Sequence, residues 1–476
     1  MDRRTFLQHS VVLSGAFCLD FPAFARKIKS FGKPRLKIGI VSDIHIRDIK
    51  SASTFEHTLE YFRSQNVDGV IIAGDIADYG FESQFANAAE KWYKVFPNDL
   101  APDGHIVEKL FVYGNHDLEG HNYGFVKKAH PDGAYREKEK ISGRQAEIWE
   151  KYLHEKWEPI QLKQVNGYYF ICGHYQNRKN MPGLDKFLER HHDKLVNKKK
   201  PFFYIQHTHP KDTCSSPYVW GQDGGEVTKL LSAYPNAVSF SGHSHTPLTD
   251  DRTIWQGAFT SVGTASLSYV FPIGARENSE VFRVKEKVPA QMPVMDYYKG
   301  KHGMLMTVYE DYITLERREF IHDELLGDNW IIPLPHSTAD APLSFENRAQ
   351  KASVPQFGAN AKVTVTRGTG KSRNKEEKKQ IIAHFPSVLK KTTGVRAFDY
   401  EVQAEIRDED VSKVMMTKRI FSPGSIMGEN HDEEEVTCIF AEDEIPYKAP
   451  IRFVVRPCEC FGKKGNPIYS EWIENN

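Results

Sequence analysis

The sequence predicts an α/β fold made of βαβ units flanked by helices, followed by an all-β sandwich. Three observations carry this. Apolar strands alternate with helical stretches from Leu36 onward, five of the strands end in a polar cluster, and a run near residue 400 alternates between apolar and polar side chains. Strand, helix, strand, helix, strand at this rhythm means parallel strands joined by crossover helices. In such sheets ligands gather beyond the carboxyl ends of the strands.

In chain order, residues 37–41 (Lys-Ile-Gly-Ile-Val) read as a buried strand that runs into Ser42-Asp43-Ile44-His45. Residues 54–65 have helical spacing, with Phe55, Leu59 and Phe62 on one face. A second strand, 70–73, ends in Gly74-Asp75, and a second helix covers 85–95. The third strand, 110–113, runs into Gly114-Asn115-His116-Asp117, where Gly114 would let the backbone turn sharply. Residues 118–200 form a charged, partly helical insertion, with helices expected at 144–154 and 184–195 and a strand at 168–172. The rhythm resumes with a strand at 202–205 before His207, a helix near 227–233 and a strand at 237–240 before Gly242-His243-Ser244-His245. Strands at 303–308 and 311–319 are expected to form a closing hairpin.

These patterns place a first domain at 36–330. Prolines at 333, 335, 342 and 355 mark 331–360 as an aperiodic linker or surface strap. In the following segment, 361–476, Phe398, Tyr400, Val402, Ala404 and Ile406 alternate with polar neighbours, the mark of a half-buried strand. With strands at 363–365, 436–440 and 451–455 this predicts a β-sandwich. Its closing part, from Arg452 to Trp472, resembles the last strands of a fibronectin type III domain.

Composition narrows the partners. The 476 residues are 40% hydrophobic and 26% charged, and 63 Lys and Arg balance 63 Asp and Glu. Such a balance lacks the bulk charge of a chain that tracks nucleic acid or coats an anionic membrane. Six cysteines are too few and too irregular for a disulfide scaffold, and none falls in the polar clusters. For Cys438, Cys458 and Cys460, one disulfide and buried free thiols both remain open. Residues 1–25 combine Arg3-Arg4, an apolar run at 11–17 and Ala23-Phe24-Ala25, the form of a secretory signal. The paired arginines before Phe6-Leu7 resemble the twin-arginine export signal, which implies an exported protein, periplasmic or extracellular. The apolar run is too short to span a bilayer.

The five clusters supply aspartate, asparagine and histidine side chains as possible metal donors. Oxygen and imidazole donors without sulfur suit Mn, Fe or Zn. They are more than one closed site requires, so a pair of ions sharing a carboxylate is expected. Two cations roughly 3.5–4 Å apart clamp a phosphoryl group and activate a water.

Taken together, D-x-H, G-D-x-x-D, G-N-H-D, H and G-H-x-H resemble the motif set of the calcineurin-like metallophosphoesterase superfamily. The resemblance implies a metallophosphoesterase-type β-sandwich flanked by helices, acting on phosphomonoesters or phosphodiesters by in-line attack of a metal-bridging hydroxide. It implies that Asp43, His45, Asp75 and His245 hold one ion, while Asp75 bridges to a second held by Asn115, His207 and His243. It further implies that His116 contacts phosphate and protonates the leaving oxygen, with Asp117 orienting it. Asp78, at the last position of the second motif, is not a ligand in that family. Purple acid phosphatases carry a tyrosine where this chain has Asp78, so their iron–tyrosinate site is not expected. The 5′-nucleotidase branch has Asn-His-Glu in place of Asn115-His116-Asp117. Alternative readings are a surface-binding protein with a vestigial phosphatase fold and a nuclease of the same superfamily. His121, Tyr123 and His209 are further candidates for substrate contact, and Tyr269, Phe271, Tyr297 and Tyr298 for pocket walls.

Overall fold

The computed structural model describes residues 32–131, 138–197, 199–215, 220–272, 299–336, 341–371, 376–388, 390, 394–409, 411–428, 430 and 435–475. The signal-like segment 1–25 and the pair Tyr297 and Tyr298 lie outside them.

From Arg35 onward the chain is one compact unit. Its first part contains β1 (Leu36–Val41), α1 (Ser53–Ser64), β2 (Gly69–Ala73), α2 (Glu82–Val95), β3 (Glu108–Val112) and α3 (Asn115–Glu119). Next come β4 (Ile160–Val165) and β5 (Tyr168–Gly173), both within the stretch expected as an insertion, then β6 (Phe202–Ile205), β7 (Ala237–Ser241), β8 (Ile254–Gln256) and β9 (Thr260–Gly263). Then follow β10 (His302–Val308), β11 (Tyr312–Glu319), β12 (Glu324–Leu325) and β13 (Trp330–Pro333). One sheet has the order β12-β11-β10-β1-β2-β3, with β13 also on β11, and the other runs β4-β5-β6-β7-β9-β8. Strands β1, β2 and β3 are parallel, as are β5, β6, β7 and β9.

Alternation along each strand explains the layering. Ile38, Ile40, Ile71, Ala73, Leu110 and Val112 face a core shared with Phe170, Cys172, Phe203, Ile205, Val238 and Phe240 of the second sheet. Their neighbours Val41, Val70, Ile72 and Phe111 pack instead with Phe55, Leu59, Phe62, Phe85 and Trp92 of α1 and α2. On the far side, Ile171, Phe202 and Tyr204 meet Leu184, Leu188, Val227 and Leu231. The layers are therefore helix, sheet, sheet, helix. Strands buried on both faces read as continuous apolar runs, which is why 70–73 and 202–205 stood out in the sequence. This is the mixed α/β core expected of a metallophosphoesterase.

The C-terminal region is all β, as expected. A three-stranded sheet orders β14 (Thr364–Lys371), β15 (Glu377–Pro386) and β18 (Glu435–Ala441). A four-stranded sheet orders β17 (Val411–Phe421), β16 (Asp399–Asp408), β19 (Ile451–Cys458) and β20 (Ile468–Tyr469). Both sheets contribute to one core, among them Ile381, Phe385, Tyr400, Val402, Phe440 and Phe453. Strand β17 escaped the sequence reading because its first half is exposed, leaving no in–out alternation to detect. The stretch expected as an aperiodic linker also needs correction. Trp330–Pro333 pairs antiparallel with β11, and Phe345–Lys351 is a helix capped by Ser344. Prolines are compatible with a strand at an edge, so they hid this one without preventing it. Cys438, Cys458 and Cys460 are buried thiols. Among the described residues no helix is long and apolar enough to cross a membrane.

Candidate metal centre

All five clusters meet at one edge, because the parallel strands β1, β2, β3, β6 and β7 deliver their carboxyl ends there. The loops after β1 and β2 run side by side, with Asp43 N–H donating to Gly74 O (2.9 Å) and His45 N–H to Asp75 O (3.0 Å). Gly242 N–H donates to His207 O (2.9 Å), joining the loops of the second sheet. Asp43, His45, Asp75, His243 and His245 all have left-handed backbone, with φ between 49° and 70°. Strained backbone of this kind costs of order 1–3 kcal/mol per residue and persists only where surroundings enforce it. Gly114 corrects the expectation of a sharp turn. Its φ of −108° is open to any residue, but an added Cβ would lie 2.2 Å from Asp75 Oδ1. Gly242 is placed alike, its Cβ position 2.3 Å from Asp43 Oδ2. Glycine is needed at both because backbone approaches a carboxylate.

The structure gathers every proposed donor into two adjoining nests. In the first, Asp43 Oδ1 lies 3.0 Å from His245 Nε2, which is 3.2 Å from His45 Nε2. In the second, His207 Nε2 lies 3.1 Å from Asp75 Oδ2, 2.9 Å from Asn115 Oδ1 and 3.1 Å from His243 Nδ1. Asp75 stands between them. Its Oδ1 accepts the His116 N–H (2.8 Å), while Oδ2 faces His207 and lies 3.9 Å from His45 Nε2.

Partners behind the rings decide what each can do. His45 Nδ1 is 2.9 Å from Asp78 Oδ1, His207 Nδ1 donates to Ala73 O (2.8 Å) and His245 Nδ1 to Tyr269 O (3.0 Å). With Nδ1 committed, a neutral ring turns an Nε2 lone pair toward the nest, as metal-binding histidines do. Lone pairs and carboxylate or amide oxygens then converge with no hydrogen between them. Such a set is stable only if extra protons or cations sit inside it. Burial lowers His45 and His243, keeping both rings neutral. Burial opposes charge on Asp43 too, yet His245 and His207 hold it at about 2. Against burial, Asp75 raises His207 to about 9, so that ring takes up a proton where a cation would otherwise balance the carboxylate. The donor set fits two cations.

His116 packs edge-on against the His45 ring, with centroids 4.5 Å apart, and lines the cleft. Its Nδ1 donates to Asp78 O (2.7 Å) and lies 3.5 Å from Asp78 Oδ1, leaving Nε2 for the cleft. Burial works against its charged form, but Asp75 and Asp78 raise the ring to about 9. The role implied for Asp117 is corrected here. Asp117 is fully buried and accepts N–H groups of Gly114 (2.7 Å), Ala77 (2.7 Å) and Ile76 (3.3 Å). It pins the loop after β3 to the loop after β2, and Asp78 orients His116. Arg47 Nε in turn donates to Asp78 Oδ2 (2.7 Å).

The cleft encloses about 300 Å³. Besides the ligands and His116, its walls are Glu119, Tyr123, Tyr175, Arg178, Trp220 and Tyr269. Tyr123 accepts a hydrogen bond from Asn115 Nδ2 (2.6 Å), Tyr269 packs on the His245 ring at 4.3 Å and Trp220 on His243 at 4.9 Å. Of the other sequence candidates, His209 is buried against Ser241 and Ser244, and neither it nor His121 nor Phe271 lines the cleft. Glu119, at the end of α3, was missed, as were Tyr175, Arg178 and Trp220, which lie on loops without a motif. Asp78 had a signal in the last position of G-D-x-x-D.

With the geometry in place, one comparison bears on the class. Residues 36–247 match the model of the calcineurin-like phosphoesterase family (Metallophos), a stretch that holds all seven donors. Over that stretch the chain is similar to calcineurin-like phosphoesterases. Among solved structures, a dimetal phosphatase from Danio rerio is 13% identical with a TM-score of 0.35, covering 63% of this chain and 100% of that one. The purple acid phosphatase PPD1 of yellow lupin, Lupinus luteus, is 14% identical with a TM-score of 0.38, covering 64% and 55%. GAP50, the anchor in the inner membrane complex of Plasmodium, is 12% identical with a TM-score of 0.37, covering 66% and 95%. No curated protein matches the chain.

Proposed function

We propose that the protein is an exported phosphoesterase that uses two bound cations to hydrolyse phosphomonoesters or phosphodiesters. The observation that carries this reading is the shared carboxylate. Asp75 Oδ2 faces both donor nests, and the His116 ring opens onto the same cleft. Asp43, His45, Asp75 and His245 would hold one ion, and Asp75, Asn115, His207 and His243 the other. When bound, such a pair neutralises charge on the phosphoryl oxygens and activates the attacking water. The protein does the positioning. Asp78 keeps the His116 Nδ1 proton engaged, so Nε2–H is the donor presented to the ester. It hydrogen-bonds the leaving oxygen as negative charge develops and transfers its proton there, while water attacks from the opposite side. Mn, Fe and Zn are the ions that oxygen and imidazole donors favour.

Chelator-treated protein is expected to hydrolyse neither a chromogenic phosphomonoester nor a phosphodiester. Adding Mn, Fe or Zn should restore at least one activity, and Mg should do so less well. Protein that holds two ions per chain yet cleaves neither ester would remove the reading.

Export rests on Arg3-Arg4 with Phe6-Leu7 and the apolar run that follows. Replacing both arginines by lysine is expected to leave the protein in the cytoplasm. Unchanged delivery of the double variant to the periplasm or medium would rule the twin-arginine route out.

A further inference from the structure

The loop that carries His243 and His245 is tied to the C-terminal sandwich. Three residues beyond His245, the Leu248 N–H donates to His302 Nδ1 (3.2 Å). The same ring donates from Nε2 to the carbonyl of Ile426 (3.0 Å). Ile426 lies between β17 and β18, and His302 begins β10. His302 is fully buried, and burial lowers it to about 3, so the ring is neutral and has one donor and one acceptor, both used. Thr249 supplies a second tie, its hydroxyl donating to the carbonyl of Ser425.

Packing provides a third link. Ile426 and Met427 belong to the same buried core as Leu248, Val270 and Met304. A Cβ on Gly300 would lie 2.1 Å from Val270 Cγ2 and 3.0 Å from Ile426 O, so these groups crowd one point. Val270 sits between two residues that hold His245. Tyr269 O takes its Nδ1 hydrogen (3.0 Å), and Phe271 N–H donates to its carbonyl (2.9 Å). Both chain segments that fix His245 therefore rest on residues 425–427.

We propose that the sandwich is a working part of the metal centre. Through His302 and Thr249, its residues 425–427 hold His245 in the geometry that takes the ion shared with Asp43 and His45. His302 is a positioning residue, since it touches neither ligand nor cleft. The inference rests on the two-metal reading above.

Three substitutions separate its two hydrogen bonds. His302→Asn can keep an acceptor near Leu248 N but cannot reach Ile426, His302→Gln can reach Ile426 but offers Leu248 a poorer acceptor, and His302→Leu removes both. Full-length protein stripped of metal is titrated calorimetrically with Mn(II) and Zn(II), beside the melting temperature of each apo form and the absorption band of the Co(II) form. Loss of a residue that orients a metal ligand typically weakens affinity by about 10–100-fold. The expected result is a loss of that size for one ion in His302→Leu, smaller losses in the Asn and Gln variants, and an altered Co(II) band. Thr249→Val should weaken the same ion. It also decides the matter should His302→Leu not fold. Unchanged affinity for both ions in the folded variants overturns the proposal. So does an equal weakening of both ions that tracks a lowered apo melting temperature, because that is general destabilisation. If the unaltered apo protein takes up no cation, it is the two-metal reading that fails.

Discussion

Asp75→Asn is expected to cost the protein both cations and to lower turnover on the order of 10³-fold or more. A metal pair supplies several kcal/mol of transition-state stabilisation, and each loss of about 1.4 kcal/mol is tenfold in rate. The expectation follows from the position of one oxygen. Asp75 Oδ1 is engaged by the His116 N–H (2.8 Å), so Oδ2 alone turns toward both nests. An amide keeps the shape but removes the charge that two cations would share. Asn115→Ala is the matched control. Its Oδ1 faces only His207 (2.9 Å), so one ion should weaken and the other stay. Metal analysis of the purified variants checks this, and two tightly held ions in Asp75→Asn would contradict the assignment.

His116→Asn should keep both ions and lower turnover by about 10²–10⁴, the usual worth of general acid help. The loss should depend on the leaving group. An alkyl ester leaves a strongly basic oxygen that needs the proton, so its loss should be greatest. A nitrophenyl ester leaves a weak base, and its loss should nearly vanish. Rates across a graded series of esters, with metal content measured on each preparation, provide the check. Equal losses along the series would mean that His116 only positions phosphate, and a missing ion would make it a ligand. Asp117→Asn offers a contrast, because Asp117 holds the loops after β2 and β3 through three backbone N–H groups. Its effect should not vary with the leaving group.

What the sequence determined by itself was local and repeated. The strands of the core are buried on both faces and read as apolar runs, and each of five runs straight into its polar cluster. A parallel βαβ arrangement then requires those ends to share an edge, so the clusters could be expected to meet before any coordinate, and the family resemblance singled out the seven donors among them. Which group faces which was another matter. Asp117 follows His116 directly, but successive side chains on a helix point about 100° apart, and its carboxylate turns to the backbone instead. Asp78 is 38 residues from His116 in sequence, yet the parallel pairing of β2 with β3 brings their loops together. The wall residues Arg178 and Trp220, on loops without a motif, reach the cleft only through the fold. The support of the His245 loop by Ile426 is likewise invisible to any periodicity. Hydrogen bonds between side chain and backbone across distant loops leave no pattern along the chain, and only the packing of the sandwich against the phosphoesterase core creates them.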